Sequence, residues 1–450
     1  MILPAVRWGA EQAPSPQGEG RGKFDWKVCE ERDVMAYRSA SGIAVGTIDS
    51  IPSKSVLHRL LLAAALGTEP VQLRVPVISR DIRATMEGLA ALGAKITYNN
   101  KLVTITPGPI PKGNVILPCG DSGSTLRFLL PVAGARGATA EFRISEALGR
   151  RPMEPLVQAL ELRGMEIRPG LRCSGQLQGG QFTLPGDVSS QFISGLLFAL
   201  PLLREDSRIT LTTKAESTAY IDMTIETLRS AGIRILREEN GFTVPGRQRY
   251  MLSGTLAAEG DWSDGAVFLC TGAMAGQVTV RGLSPNSLQG DRAILKHLAN
   301  MGAEISVSEN EVTATAPESG LRSITADLTD TPDLAPVLAV AAAAAKGTSV
   351  FTGCKRLRYK ECDRLEALRR LICDLGGAAE AGEDSLTVHG AGALQGGAAE
   401  VFGDHRIAMA ASLCGLISDA PVEISDTGCV EKSHPGFFED FDSLQGGTMP

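Results

Sequence analysis

An amphipathic helix that ends on glycine and runs into a short strand recurs five times in this chain, and that repeat restricts the fold more than any other feature. The instances span Arg83–Ile96, Met153–Ile167, Ile221–Ile235, Arg292–Ile305 and Asp363–Glu380. Their closing glycines, Gly93, Gly164, Gly232, Gly302 and Gly376, lie 71, 68, 70 and 74 residues apart. Glycine suits the left-handed position just past a helix end, so each is expected to be a C-cap. A fixed period means one supersecondary unit used repeatedly, since a single unit cannot bury its apolar face alone.

Six further helical segments alternate with these, each opening at a polar or glycine-flanked cap near Ser53, Asp121, Ser189, Ser263, Asp333 and Asp404. They are apolar on nearly every side, which marks them as buried. Phe437–Leu444 supplies a sixth outer helix, and Val71–Val75, Leu102–Thr106, Ile209–Thr213 and Val278–Arg281 read as strands in the gaps. Two helices and several strands per unit favour α/β layers over an all-helical solenoid. Several buried-helix N-termini meeting at one cleft would offer free N–H groups and partial positive charge to phosphates and carboxylates.

With 450 residues, the chain exceeds the roughly 250–300 at which one hydrophobic core stops growing, so two or more domains are expected. A net charge of −7 lacks the basic footprint that a nucleic acid or an anionic membrane requires, so neither is expected as a partner. An anionic ligand must therefore meet a local basic cluster. The apolar run Leu334–Ala345 is too short to span a bilayer. Nine cysteines are scattered without a CxxC pair or a Cys/His ligand spacing, which reads as reduced thiols in a cytoplasmic protein with no metal site. Residues 1–38 carry Pro, Gly and charge without periodicity and read as an N-terminal extension, with disorder as one reading and a start at Met35 as another.

Six segments could carry chemistry. Lys54-Ser55 with Arg59 sits at a helix start, but Ile48 and Ser53 stand where a P-loop needs glycine, so a Walker loop is excluded. Gly120-Asp121-Ser122-Gly123-Ser124-Thr125, followed by Arg127, is small and polar before an apolar helix and allows close backbone approach to an anion. Arg151 follows Gly149-Arg150, and Ser189-Ser190-Gln191 offers three hydrogen-bonding side chains where N-capping needs one. Lys360-Glu361-Cys362-Asp363-Arg364 packs base, acid and bidentate Arg before a helix. Arg406, in Asp404-His405-Arg406, is electrostatically misplaced at a positive helix end unless an anion lies there. Each has an ordinary reading as a cap or a charged turn, and Asp333 and Lys432 alone read as an N-cap and a surface lysine.

Taken together, in order and spacing from about Ser41 to Phe441, SKSVLHR, GDSGSTLR, GRRP, SSQF, STAYID, EGDWSD, QGD, TPDLAP, RYKECDRL, FGDHRIAM and EKSHPGFF resemble the 3-phosphoshikimate 1-carboxyvinyltransferase family. The resemblance implies an inside-out α/β barrel of two domains built from six βαβαββ repeats, three per domain. The chain crossings would fall near Ile51 and Gly260, giving domains 39–51 plus 260–450 and 52–259. It implies transfer of enolpyruvyl from phosphoenolpyruvate to the 5-hydroxyl of shikimate 3-phosphate, by a monomer without cofactor or metal.

By the same resemblance, Lys54, Ser55, Arg59, Ser189, Ser190, Ser217, Tyr220, Asp333 and Lys360 would bind shikimate 3-phosphate. Lys54, Gly123, Arg151, Gln191, Arg364, Arg406 and Lys432 would bind phosphoenolpyruvate. Asp333, Glu361, Lys432 and Lys54 would carry the chemistry. N-phosphonomethylglycine, the family's inhibitor, would occupy the phosphoenolpyruvate site and meet Gly123. Two positions depart from the family pattern: Asp121-Ser122 stands where Asn-Ala is frequent, and Arg356 where a substrate-binding Asn is expected.

Two rival readings remain on the sequence. UDP-N-acetylglucosamine enolpyruvyl transferase shares fold and donor but is marked by an SGAKN-like start and a reactive loop Cys; here Lys54 is followed by Ser55, and Cys119 lacks that family's neighbours. A non-catalytic anion-binding protein would not require Asp333, Glu361 and Lys432 together.

Overall fold

A computed structural model describes residues 36–446. Of the expected extension, residues 1–35 lie outside the described residues. Tyr37 and Arg38, counted with that extension, instead belong to an ordered strand, Tyr37–Ser39, antiparallel to Val422–Ile424. The Tyr37 ring packs 4.3 Å from that of Phe438 and the buried Ser39 hydroxyl donates to the Ser412 carbonyl, 2.7 Å. These contacts fix the chain two residues earlier than the periodic sequence begins.

Buried helices alternate with amphipathic ones along the chain: α1 (Lys54–Ala65) with α2 (Arg80–Ala91); α3 (Gly123–Ala135), then one-turn α4 (Glu146–Gly149), with α5 (Glu154–Glu161); α6 (Ser190–Ala199) with α7 (Thr218–Ser230). The alternation continues with α8 (Trp262–Ala275) and α9 (Ile294–Asn300), α10 (Ala335–Ala344) and α11 (Arg364–Asp374), and α12 (His405–Leu416) and α13 (Phe437–Ser443). The five repeat glycines all have positive φ, between +77° and +103°. At Gly93 the constraint is double, because an added Cβ would also overlap the Pro109 carbonyl.

The strands expected at Val71–Val75, Ile209–Thr213 and Val278–Arg281 run Val71–Arg74, Ser207–Leu211 and Gly276–Arg281, and two helix starts differ from the sequence reading. Helix α8 is capped by Asp261 rather than at Ser263, because the Asp261 carboxylate accepts from both Ser263 N and Asp264 N, 2.9 and 3.0 Å. The segment opening at Asp333 begins as a 3-10 turn, Pro332–Leu334, before α10.

Five four-stranded sheets and one three-stranded sheet accompany the helices among the described residues. Each joins one parallel strand pair to antiparallel neighbours, as in Gly254–Ala257, Val71–Arg74, Leu102–Thr106 and Lys95–Asn99. Strand alternation is read directly from burial: Val71 and Leu73 point inward, Gln72 and Arg74 outward.

Buried apolar side chains form two clusters. One runs from Leu57 to Leu252, the other joins Ala44 and Ile48 to Trp262–Leu444. Strand pairing follows the same division: Ala44–Asp49 runs parallel to Gly276–Arg281, and Gly254–Ala257 parallel to Val71–Arg74. Where the two connecting segments pass, Pro52 bridges Gly260 and Asp261 N donates to the Ile51 carbonyl. Gln289, buried beside them, donates to Gly260 O and accepts from the Ser53 hydroxyl.

Candidate active site

A cavity of about 550 Å³ opens between residues of the two clusters. Five of the six buried helices start on it: α1 with Lys54 and Ser55, α3 with Gly123 and Ser124, α6 with Ser190 and Gln191, the turn into α10 with Asp333, and α12 with His405 and Arg406. Helix α8 is the exception; its cap Asp261 accepts from Lys54 N, 2.9 Å, and so orients α1. Nine Lys and Arg and six Asp and Glu line the cavity. Positive charge is therefore concentrated here against the negative balance of the whole chain.

Every site residue expected from the sequence lines this cavity except Lys432, which reaches it through neighbours. Lys432 Nζ lies 2.9 Å from Asp81 Oδ1, 2.8 Å from the Asp121 carbonyl and 3.7 Å from Glu361 Oε1. Lys54 Nζ takes the other Asp81 oxygen at 3.0 Å. Asp81 thus holds both lysines side by side, and burial, which would raise its pKa, is outweighed by them so that it stays well below the carboxylate range.

The arginines fall into two kinds. Every guanidinium nitrogen of Arg59 and of Arg364 has a protein acceptor. Arg59 donates to Thr224 Oγ1, Ser55 O and Tyr220 O at 2.7–2.8 Å, so it shapes the wall carrying Ser55 and Tyr220. Arg364 donates to both Asp404 oxygens, to Asp333 Oδ1 at 2.9 Å and to Glu361 Oε2 at 2.6 Å. Arg151 is different: its buried Nε and Nη2 lack an acceptor among the described residues. Nη2 lies 3.1 Å from Glu361 Oε1, an ion pair by distance with its N–H aimed elsewhere. Buried donors without acceptors cost free energy that an anion would recover.

Gly123, Arg127, Arg151 and Gln191 form one corner. Arg127 Nη1 donates to Gln191 Oε1, 2.7 Å, and Gln191 Nε2 to Ser124 Oγ, 2.9 Å. A Cβ on Gly123 would sit 3.1 Å from Arg127 Nη1, 3.3 Å from Arg151 Nη1 and 3.5 Å from Gln191 Oε1. The α-hydrogen of Gly123 therefore faces three polar side-chain ends. Ser189 caps α6, two residues before Gln191, and Ser217 has a left-handed backbone, φ 52°, at the start of α7.

Asp333 and Glu361 are half-buried carboxylates held ionised. Burial raises both, but Arg406, Lys360 and Arg364 pull Asp333 well below the usual range, and Arg364, Arg151 and Lys432 do the same for Glu361. Lys360 Nζ is 3.1 Å from Asp333 Oδ1 and Arg406 Nη2 is 3.5 Å from Oδ2. The seemingly misplaced charge of Arg406 is thus met by Asp333.

Sequence reasoning missed Asp81, which looks like an ordinary acid in the first turn of an amphipathic helix, and the part played by Arg127, buried against the Phe192 ring at 5.4 Å. It also left Arg356 unassigned. Only the fold brings these to the cavity. Cys119 is fully buried, and burial pushes its thiol well above the ordinary range, the reverse of a reactive loop cysteine.

Fold and site together define an α/β enzyme cleft for small polyanions. The sequence model of EPSP synthase (3-phosphoshikimate 1-carboxyvinyltransferase) matches residues 41–441. Relatives named 3-phosphoshikimate 1-carboxyvinyltransferase include that of Clostridium kluyveri, 38% identical over 413 residues, covering 89% of this chain and 95% of the relative. That of Methanocorpusculum labreanum is 37% identical over 408 residues, covering 89% and 96%. Among solved structures, EPSP synthase from Acinetobacter baumannii superposes with a TM-score of 0.76 at 25% identity over 91% of this chain and 98% of the other. The enolpyruvyl transferase NikO from Streptomyces tendae gives 0.71 at 17% identity over 91% and 97%, a likeness of fold alone. The chain belongs to the EPSP synthase (3-phosphoshikimate 1-carboxyvinyltransferase) family.

Proposed function

We propose that this chain carries out its family's reaction, moving the enolpyruvyl group of phosphoenolpyruvate onto the 5-hydroxyl of shikimate 3-phosphate in the shikimate pathway to chorismate and the aromatic amino acids. The products are 5-enolpyruvylshikimate 3-phosphate and phosphate. One observation carries the reading: a single cavity lined by Lys54, Gly123, Arg151, Gln191, Asp333, Glu361 and Arg406, in which buried Arg151 keeps donors without acceptors.

In this reading Arg151, Arg406 and Arg364, with Lys54, Lys432, Gln191 and the open face of Gly123, take the donor. Lys54, Ser55, Arg59, Ser189, Ser190, Ser217, Tyr220, Asp333 and Lys360 surround the acceptor. Asp333 takes the proton of the 5-hydroxyl while Glu361 or Lys432 gives a proton to the methylene carbon. The oxygen attacks the cationic C2, forming a tetrahedral ketal phosphate. Phosphate then leaves, taking up the proton that Asp333 holds, as the methyl group returns its own, which forms the enol ether of the product and restores the protonated acid. Glu361 starts out ionised because three cations hold it so. A donor carboxylate or phosphate that engages Arg151 and Arg364 removes that stabilisation, raises the Glu361 pKa and makes it able to carry the proton.

The finer architecture is part of the same proposal: an inside-out α/β barrel of six βαβαββ repeats, three per domain, with domains 39–51 plus 260–450 and 52–259. Six helix pairs, six sheets and two apolar clusters support it. The same reading expects a cytoplasmic monomer. The eight cysteines among the described residues are all free thiols, and no helix of those residues is long and apolar enough to cross a membrane. The test is phosphate release from phosphoenolpyruvate with shikimate 3-phosphate and with UDP-N-acetylglucosamine offered separately. Release with the first alone is expected; release with the second, or with neither, refutes the reading.

A further inference from the structure

Arg356 lies in the 3-10 turn Lys355–Tyr359 and crosses the cavity. Its Nη2 donates to Ser217 Oγ at 2.9 Å and to the Thr329 carbonyl, while Nε lies 2.7 Å from Glu216 Oε2 with its N–H aimed away from that oxygen. Glu216 and Ser217 belong with the Leu57–Leu252 cluster, Thr329 and Arg356 with the other. The contact therefore spans the cleft. Side-chain exposure is only 16% for Arg356 and 29% for Glu216.

Glu216 is a poor permanent partner. Asp187, Asp330 and Asp384 crowd it, and burial with their charge raises its pKa despite Arg356. Ser217 is a better guide to what Arg356 serves. Its backbone is left-handed at the start of α7, its N donates to Asp330 Oδ1 at 2.8 Å, and its hydroxyl, which accepts from Arg356, donates only to the Asp330 carbonyl, at 3.4 Å. A phosphate that accepts from Ser217 Oγ lies one hydrogen bond from the Arg356 guanidinium, which carries the charge that Ser189, Ser190 and Ser217 lack.

We infer that Arg356 is a specificity-determining residue that recognises the phosphate of the acceptor substrate together with Ser217, and that Glu216 competes with this phosphate for the guanidinium. The inference rests on the proposed acceptor, shikimate 3-phosphate. Its test reads binding of the acceptor and not turnover.

The test is calorimetric binding of shikimate 3-phosphate and of unphosphorylated shikimate to the full chain and to Arg356→Gln, Arg356→Lys and Glu216→Gln, with melting curves for each. Arg356→Gln should weaken shikimate 3-phosphate by about 10- to 100-fold, the loss of one charge-assisted contact, and leave shikimate unchanged. Arg356→Lys should recover part of the loss. Glu216→Gln should bind shikimate 3-phosphate as tightly as the parent or more tightly, since the competitor is gone. Equal losses for phosphorylated and unphosphorylated ligand, or weakening by Glu216→Gln as large as that by Arg356→Gln, would show a merely structural bridge and overturn the inference. A parent chain that binds shikimate 3-phosphate but releases no phosphate with phosphoenolpyruvate would sink the transferase reading alone.

Discussion

Replacing Gly123 by Ala should separate inhibitor from substrate at the donor corner. Gly123 is the first residue of α3 and has ordinary helical backbone, so alanine leaves the backbone unstrained and is intrinsically the better helix former. What changes is the space in front of Arg127, Arg151 and Gln191. The new methyl would stand 3.1 and 3.3 Å from two guanidinium nitrogens and 3.5 Å from the Gln191 oxygen. The first two are closer than comfortable van der Waals contact, so both guanidinia must retreat by a few tenths of an ångström, as flexible side-chain ends can. Phosphoenolpyruvate is short enough to follow that retreat. N-phosphonomethylglycine, expected in the same site, is longer, so it should meet the methyl directly. Overpacking of this kind costs about 1–3 kcal/mol, or roughly 5- to 150-fold in the inhibition constant. The substrate's Michaelis constant should rise by much less, within about tenfold. The assay is phosphate release at saturating shikimate 3-phosphate, titrating inhibitor against phosphoenolpyruvate for parent and variant. Inhibition and Michaelis constants that move by the same factor, or an unmoved inhibition constant, would refute the claim that this face of Gly123 meets the inhibitor.

Arg151→Ala removes a guanidinium whose Nε and Nη2 lack acceptors, so the apparent Michaelis constant for phosphoenolpyruvate should rise by roughly 10- to 100-fold, from about 1.5–3 kcal/mol for a charge-assisted contact, as initial rates will show. Glu361→Gln and Asp333→Asn should lower turnover by about 10²–10⁴-fold with a far smaller effect on binding of either substrate, measured by steady-state kinetics beside calorimetry; loss of binding alone would make them positioning groups. His434 predicts a pH effect. Burial opposes its charge, but Asp264 at 2.7 Å and Asp440 at 3.0 Å outweigh that and raise its pKa to about 10. The folded chain therefore binds more protons than the unfolded chain between the ordinary histidine pKa and about 10. His434's contribution is complete below that window and falls as pH rises through it. Melting temperature against pH should decline more steeply for the parent than for His434→Gln, and parallel curves would contradict the assignment.

Much of this molecule was written in local sequence. A glycine every seventy residues or so announced helix ends that need positive φ, and all five have it. Ser53, Ser189 and Asp404 announced helix starts and are N-caps whose side chains accept backbone N–H groups. Such features depend on neighbours a few residues away, which is why they are legible without a fold. The segments carrying Lys54, Gly123, Arg151, Gln191, Lys360-Glu361 and Arg406 could also be picked out, because charge or small polar residues before an apolar helix are conspicuous.

What a charged side chain does with its charge was decided only by tertiary structure. Arg364 and Arg151 look alike in sequence, yet Asp404, Asp333 and Glu361 engage every nitrogen of the first while the second keeps donors without acceptors. Asp81 looks like a helix-dipole acid and turns out to pair Lys54 with Lys432, a residue hundreds of positions away. Arg356 reads as one base among several in Lys355-Arg356-Leu357-Arg358, and only the meeting of the two apolar clusters sets it against Glu216 and Ser217. Coulomb energy and desolvation depend on distance and burial in space, and neither is a function of separation along the chain.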